Sequence, residues 1–341
     1  MTLNPLPAQA QKLGDATASY ARFLELVADK LIATEDVLRR HLDSDVPFIQ
    51  DAGEYIFAGG GKRMRPALLL LAARLLERDG EEEVTYAAVV ELIHTATLIH
   101  DDIIDHASLR RGQATINRVW GNSLTVLLGD WLYTTAMQMA LAHDNLEVIR
   151  SLCAATLKMT EGELLTLQRL GAVDLGQEEY FGIIDRKTAH LFAAACYIPS
   201  LIPPRRTEAG RALFGYGRSL GVCFQLVDDL LDFTARESEL GKPVLSDLKE
   251  GKLTLPLILL LPRVDARRRR LVEMVLEDRG FSRVAPQQIL ELVTSEGTLV
   301  EVEELAQGHA AAARAALAAF PPSGAREALE TAPEFVLRRR S

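Results

Sequence analysis

Apolar residues recur at three- and four-residue intervals along almost the whole of this 341-residue chain, and strict apolar–polar alternation is hard to find. A chain patterned this way must form helices that bury one stripe against one another. The spacing predicts helices over 16–42, 65–78, 85–105, 114–142, 146–170, 178–198 and 207–234. Shorter helices are expected between 254 and 320, and another over 324–337. Pro66 suits a first helical turn, and Pro199 closes the helix before it. The Pro203-Pro204 pair and the 239–252 segment read as loops. No Gly-, Ser- or Pro-rich linker divides the chain. The expectation is one all-α domain spanning 1–341, with long helices around a central cavity.

Composition narrows the class. At 48% hydrophobic residues the chain can build a large core. Its 38 basic and 47 acidic residues leave a net charge of −9, which argues against general nucleic-acid affinity but leaves room for a local basic cluster that binds a small anion. Cys153, Cys196 and Cys223 show no C-x-x-C spacing and sit in apolar helical context, so buried reduced thiols of a cytoplasmic protein are expected. No secretory signal is expected at the N-terminus. The apolar stretch 257–261 is closed by Pro256 and Pro262 and is far too short to span a bilayer.

Within this helical background stand two acidic pentapeptides, Asp101-Asp102-Ile103-Ile104-Asp105 and Asp228-Asp229-Leu230-Leu231-Asp232. Both have the form D-D-x-x-D, and both are flanked by Leu, Ile, Val or Phe. On a helix the first and last aspartates lie one turn apart on one face, where like charges repel. Carboxylate oxygens are hard ligands, so Mg2+ is the natural neutralising ion, held by a few carboxylates together with substrate phosphates. Two such faces opposed across a cavity would grip a diphosphate through bridging metal.

Basic residues surround the acidic ones. Gly59-Gly60-Gly61-Lys62-Arg63-Met64-Arg65-Pro66 places three glycines ahead of three cations. Glycines admit an anion close to the backbone N–H groups, and the following helix adds its positive end. A Walker loop is excluded, because Arg follows Lys62 and the required upstream glycine is Ile56. Arg110-Arg111-Gly112 adds a basic pair soon after Asp105. His94 stands seven residues before Asp101, two turns back on nearly the same face. Gln225 stands three before Asp228. Lys187-Thr188, Lys242 and Lys252 would not draw notice alone.

Taken together, the two D-D-x-x-D motifs, G-G-K-R-x-R-P and R-R-G, in order across about 59–256, resemble the trans-isoprenyl diphosphate synthases, or polyprenyl synthetases. The resemblance implies the isoprenoid synthase fold, a homodimer, and head-to-tail condensation of isopentenyl diphosphate with an allylic diphosphate. It implies that Asp101, Asp105 and Asp228 ligate Mg2+, about three ions in all, with Asp102, Asp229 and Asp232 in support. Lys62, Arg65, His94 and Arg111 would hold the diphosphate of isopentenyl diphosphate. Arg110, Lys187, Thr188, Gln225, Lys242 and Lys252 would hold that of the allylic substrate. The chemistry needs no protein nucleophile, only stabilisation of the departing diphosphate and exclusion of water from the allylic cation.

Product length is read in this family from residues beneath the first motif. Here they are Ala96 and Thr97, both small, and the 94–102 run is similar to synthases of long quinone side chains. The resemblance implies a product of about six to ten isoprene units, roughly C30–C50, with a tunnel wall at Ala96 and a floor near Met137. The rivals are a geranylgeranyl diphosphate synthase and, from another class, a non-catalytic partner subunit. Intact aspartates in both motifs speak against the latter. A terpene cyclase would have no purpose for Lys62, Arg65 and Arg111.

Overall fold

The helical pattern is realised nearly throughout the computed structural model, which describes residues 23–58, 60–110, 112–234 and 244–339. The N-terminal part of the expected 16–42 helix lies outside them; in the rest a turn at 26–27 interrupts the helix ahead of α1 (Ala28–His41). A helix that periodicity did not single out, α2 (Pro47–Ala58), precedes the glycine-rich turn. Then come α3 (Met64–Leu75) and α4 (Glu82–Ile104). α3 is buried on almost every side, as expected of a helix at the centre of a bundle rather than on its rim.

The expected helix over 114–142 is two. Gly121, at φ 83°, breaks it into α5 (Ile116–Trp120) and α6 (Asn122–Leu141). Ahead of them the chain forms a two-residue antiparallel ribbon, β1 (Leu109–Arg110) and β2 (Gln113–Ala114), pairing Leu109 with Ala114. α7 (Leu146–Gln168) begins at Asn145, whose side chain accepts from the Val148 N–H. The expected 178–198 helix runs as α8 (Gln177–Ile184), a π-helical turn at Asp185–Ala189, and α9 (His190–Tyr197). α10 (Thr207–Thr234) carries the second acidic motif.

After residues outside the description come α11 (Ser246–Lys249), α12 (Leu255–Leu260), α13 (Ala266–Asp278), α14 (Pro286–Ser295), α15 (Thr298–Ala316) and α16 (Gly324–Arg338). The most extensive packing joins α10 to α15, α4 to α6, and α9 to α10. α9, nearly all small or apolar, also lies against α3. The two motif-bearing helices thus sit on either side of a buried centre made by α3 and α9. The Tyr216 hydroxyl donates to the Leu329 carbonyl at 2.7 Å and ties α16 to α10. Cys196 and Cys223 are buried as expected, but Cys153 is exposed, because it falls on the outward face of α7. No helix among the described residues is long and apolar enough to cross a membrane.

Candidate active site

The first acidic motif sits where α4 ends, and its geometry follows from how it ends. His106 takes a left-handed conformation at φ 52°. The Ala107 N–H returns to the Asp102 carbonyl at 2.9 Å, and the His106 N–H to the Ile103 carbonyl at 3.2 Å. This is the double closure that stops a helix and turns the chain away. The turn leads into the β1–β2 ribbon, which brings Arg110 back to donate from Nε to Asp102 Oδ1 at 2.7 Å. Asp102, rotated about 100° from Asp101 around the helix, is buried by that contact. Asp101 and Asp105 remain partly accessible, with side chains 22% and 20% exposed.

The second motif divides in the same way. Asp229 and Asp232 face inward. Asp229 accepts from the Tyr180 hydroxyl at 2.5 Å and from Gln225 Nε2 at 2.9 Å. Asp232 accepts from the Ser246 N–H and hydroxyl and from the Asp247 N–H, at 3.1, 2.7 and 3.2 Å, and so holds the start of α11. Asp228 alone of the three points outward; its side chain is 55% exposed and meets the Arg339 guanidinium at 3.0 Å.

Two segments tie one motif to the other. The π-helical turn carries Lys187 and Thr188. Lys187 Nζ lies 3.9 Å from Asp101 Oδ2 and contacts Glu163, while the Thr188 hydroxyl donates to Gln225 Oε1 at 2.8 Å, one turn ahead of Asp228. This turn is clamped between two helices that approach it through glycines. A Cβ on Gly162 of α7 would lie 2.6 Å from the Lys187 backbone nitrogen, and one on Gly221 of α10 would lie 2.6 Å from Ala189 Cα. The second tie is 246–252. Anchored at Asp232, α11 closes with Gly251 at φ 89°, and Lys252 Nζ then reaches Asp105 Oδ1 at 2.8 Å.

Charge and burial oppose each other throughout. Burial pushes Asp101 up to about 6, with Glu163 and Asp105 adding to the rise and Lys187 opposing it. Burial likewise pushes Asp229 up to about 8, against the hydrogen bonds from Tyr180 and Gln225. Burial also lowers the Lys187 and Lys252 ammoniums, but neighbouring carboxylates outweigh it and hold both above the usual lysine range. Both lysines are therefore cations at neutral pH.

Among the described residues no three carboxylate, imidazole or thiol side chains close a metal cage by themselves. That donor set still fits Mg2+, which takes one or two carboxylates and completes its shell from water and substrate phosphate. Asp101, Asp105 and Asp228 are the motif acids that keep accessible oxygen, whereas Asp102, Asp229 and Asp232 are occupied by protein donors.

His94 lines a cleft with Asp102, Arg110, Arg63, Glu91 and Tyr55. Lys62 and Arg65 lie beside aromatic rings: Lys62 Nζ is 5.9 Å from the Phe335 centroid, and the Arg65 guanidinium is 4.4 Å from that of Phe192. Phe192 in turn packs on Phe224, over which Arg339 stacks at 3.7 Å. Arg111 and Lys242 lie outside the described residues. Ala96 is buried, Thr97 half-buried with its hydroxyl bonded to the His94 carbonyl, and Met137 half-buried on a face whose Asp130, Thr134 and Leu141 are exposed.

Sequence reasoning missed Arg339, Tyr180 and Glu163, and it counted Arg63 only as a cation for an anion. Arg63, left-handed at φ 47°, pairs with Glu35 of α1 and, at 2.7 Å, with Glu91 of α4, fixing the turn between Lys62 and Arg65. The arginine run at 338–340 was the only signal for Arg339. Nothing in the sequence marked Tyr180.

A profile of the family described as Polyprenyl synthetase matches residues 46–293. The chain is 40% identical to octaprenyl diphosphate synthase of Escherichia coli (strain K12), over 89% of this chain and 94% of that protein. It superposes on the polyprenyl synthase of Caulobacter crescentus CB15, solved with calcium and isoprenyl diphosphate, with a TM-score of 0.90 and 36% identity over 94% of this chain and 98% of that one. For decaprenyl diphosphate synthase from Rhodobacter capsulatus the TM-score is 0.88, with 35% identity over 93% and 98% of the two chains.

Proposed function

This chain belongs to the polyprenyl synthetase family, and we propose that it condenses isopentenyl diphosphate with an allylic diphosphate to build a long all-trans polyprenyl diphosphate. The observation that carries this reading is the double tie between the acidic motifs. It places Lys187 3.9 Å from Asp101, bonds Lys252 to Asp105, and sets Thr188 and Gln225 beside Asp228's helix turn. Such a face of alternating acid and base suits a diphosphate accompanied by a divalent cation.

In this reading Asp101, Asp105 and Asp228 hold Mg2+, which supplies, through about three ions, Lewis-acid stabilisation of a departing diphosphate. Lys187, Lys252 and Arg110 add fixed positive charge to that leaving group, with Thr188 and Gln225 orienting it and Lys242 assisting from outside the described residues. Asp102, Asp229 and Asp232 support the site at one remove, by fixing Arg110, Gln225 and the start of α11. Lys62, Arg65 and His94, with Arg111, hold the diphosphate of isopentenyl diphosphate so that its double bond meets the allylic carbon. The allylic C–O electron pair leaves with diphosphate, the double bond's pair forms the new C–C bond, and the proton then lost passes to the released diphosphate. A new allylic double bond results, ready for another round.

A long product, about C30–C50, is favoured by the small buried Ala96 beneath the motif and by relatives named for eight- and ten-unit products. Ala96 and Thr97 form the upper tunnel wall and Met137 lies towards its floor. A homodimer is favoured by exposed leucines gathered on α6 and α7, among them Leu124, Leu127, Leu157 and Leu164. Cytoplasmic placement suits both substrates' charge. The test is to incubate purified protein with Mg2+, isopentenyl diphosphate and farnesyl diphosphate and to size the dephosphorylated products. A ladder ending at six to ten units supports the reading. Arrest at four units makes it a geranylgeranyl diphosphate synthase, and no product makes it a partner subunit.

A further inference from the structure

We propose that Glu163 is a positioning residue that holds the Lys187 ammonium off Asp101, so that this aspartate stays open to a divalent cation while the lysine serves the allylic diphosphate. The inference rests on the site reading above and goes beyond it, because Glu163 belongs to neither acidic motif and lies on α7.

Lys187 Nζ is in contact with Glu163, yet it stands 3.9 Å from Asp101 Oδ2. A formed ammonium–carboxylate bond would bring that second distance to about 2.7–2.9 Å. The ammonium is thus shared unequally, and the carboxylate outside the motifs has the larger share. Glu163 is no solvated surface charge: its side chain is 13% exposed, and both carboxylate oxygens are buried with no partner beyond the Lys187 contact. A buried carboxylate is disfavoured unless a cation meets it, so Glu163 and Lys187 hold one another in place.

Backbone geometry fixes the pair. Gly162, next to Glu163, has the Lys187 backbone so near that a Cβ would meet its nitrogen at 2.6 Å and its Cα at 2.9 Å. α7 and the π-helical turn therefore touch at Gly162, the residue before Glu163, and at Lys187 itself, which sets the height of Glu163 against Lys187. Without the Glu163 charge, the nearest carboxylate to the lysine is Asp101. Coulomb attraction would close that gap, and the lysine would then compete with a metal ion for the same oxygens. Direct ligation by Glu163 is the contrasting role.

A double-mutant cycle separates the two. Glu163→Gln keeps shape and removes charge; Lys187→Ala removes the lysine through which the effect is proposed to pass. Mg2+ binding is titrated by calorimetry in the presence of inorganic diphosphate, for wild type, both single variants and the double variant. Glu163→Gln should weaken Mg2+ about fivefold when Lys187 is present and leave it unchanged in the Lys187→Ala background, the coupling expected of groups in contact. In steady-state kinetics the same variant should raise the Michaelis constant for the allylic substrate about tenfold and leave that for isopentenyl diphosphate alone. If Glu163→Gln fails to fold, Glu163→Asp, which keeps the charge but draws it back, should give a smaller loss with the same dependence on Lys187. Equal weakening in both lysine backgrounds, or no weakening in either, overturns the proposal. A protein that shows the coupling but makes no polyprenyl product would refute the synthase reading and leave this inference standing.

Discussion

Replacing Gly162 with alanine should damage turnover far more than stability. The added Cβ would lie 2.6 Å from the Lys187 nitrogen, whereas ordinary contacts begin at 3.4 Å, so α7 and the π-helical turn must part by about 0.8 Å (3.4 − 2.6). Overpacking of this kind costs about 1–3 kcal/mol. Alanine recovers about 1 kcal/mol of helix propensity. The net loss is then about 0–2 kcal/mol, small enough for the fold to survive. Lys187 and Thr188 ride on the displaced turn, and a shift near 1 Å in a substrate-positioning group lowers turnover by about 10–100-fold. Gly308→Ala in α15 is the control, since nothing lies within 4 Å of its added Cβ. It should gain about 0.5–1 kcal/mol and keep wild-type kinetics. Urea unfolding and steady-state kinetics on both variants decide the matter. Wild-type turnover in Gly162→Ala would refute the claim that the close approach of α7 sets the position of Lys187.

Lys62→Ala should chiefly raise the Michaelis constant for isopentenyl diphosphate and Lys187→Ala that for the allylic substrate; equal effects on both constants in both variants would dissolve the proposed division of labour. Ala96→Phe, at a buried position, should arrest growth at about three or four units with the first condensations intact, seen by chromatography of dephosphorylated products. Unchanged product length would remove Ala96 from the tunnel wall. Arg63→Met strands the buried Glu91 and should cost about 3–5 kcal/mol in urea unfolding, against near neutrality if the pair is only a surface ornament. For Asp229, the folded carboxyl at about 8 keeps its proton where the unfolded one, in the ordinary aspartate range, has lost it. Its contribution to stability is therefore present at pH 4 and lost as pH rises towards 8. In metal-free buffer, the melting temperature of Asp229→Asn relative to wild type should climb steadily between pH 5 and pH 8; a constant difference would show that Asp229 does not titrate there.

The sequence by itself determined the helices, the two acidic faces and the basic turn, because each depends on spacing within a few residues. Periodicity fixes which residues share a helix face, and that was enough to put Asp101 with Asp105; Lys62 and Arg65 were marked by the glycine run ahead of them and by the family resemblance. Periodicity failed where one residue's conformation breaks the period, as at Gly121, or where an inserted residue widens a turn, as at Asp185–Ala189. Spacing also did not divide each motif's aspartates; that division came from the family resemblance alone. Asp102, Asp229 and Asp232 look like their neighbours in the sequence, but only the fold supplies Arg110, Tyr180 and Ser246 to engage them. Arg339 meets Asp228 across 111 residues and Lys252 meets Asp105 across 147. Such pairings carry no local signature, since the attraction between two charges depends on their separation in space, which the order of residues along the chain does not encode. Only the tertiary structure supplies the partners that leave Asp101, Asp105 and Asp228 open and spend the other three acids on holding the site together.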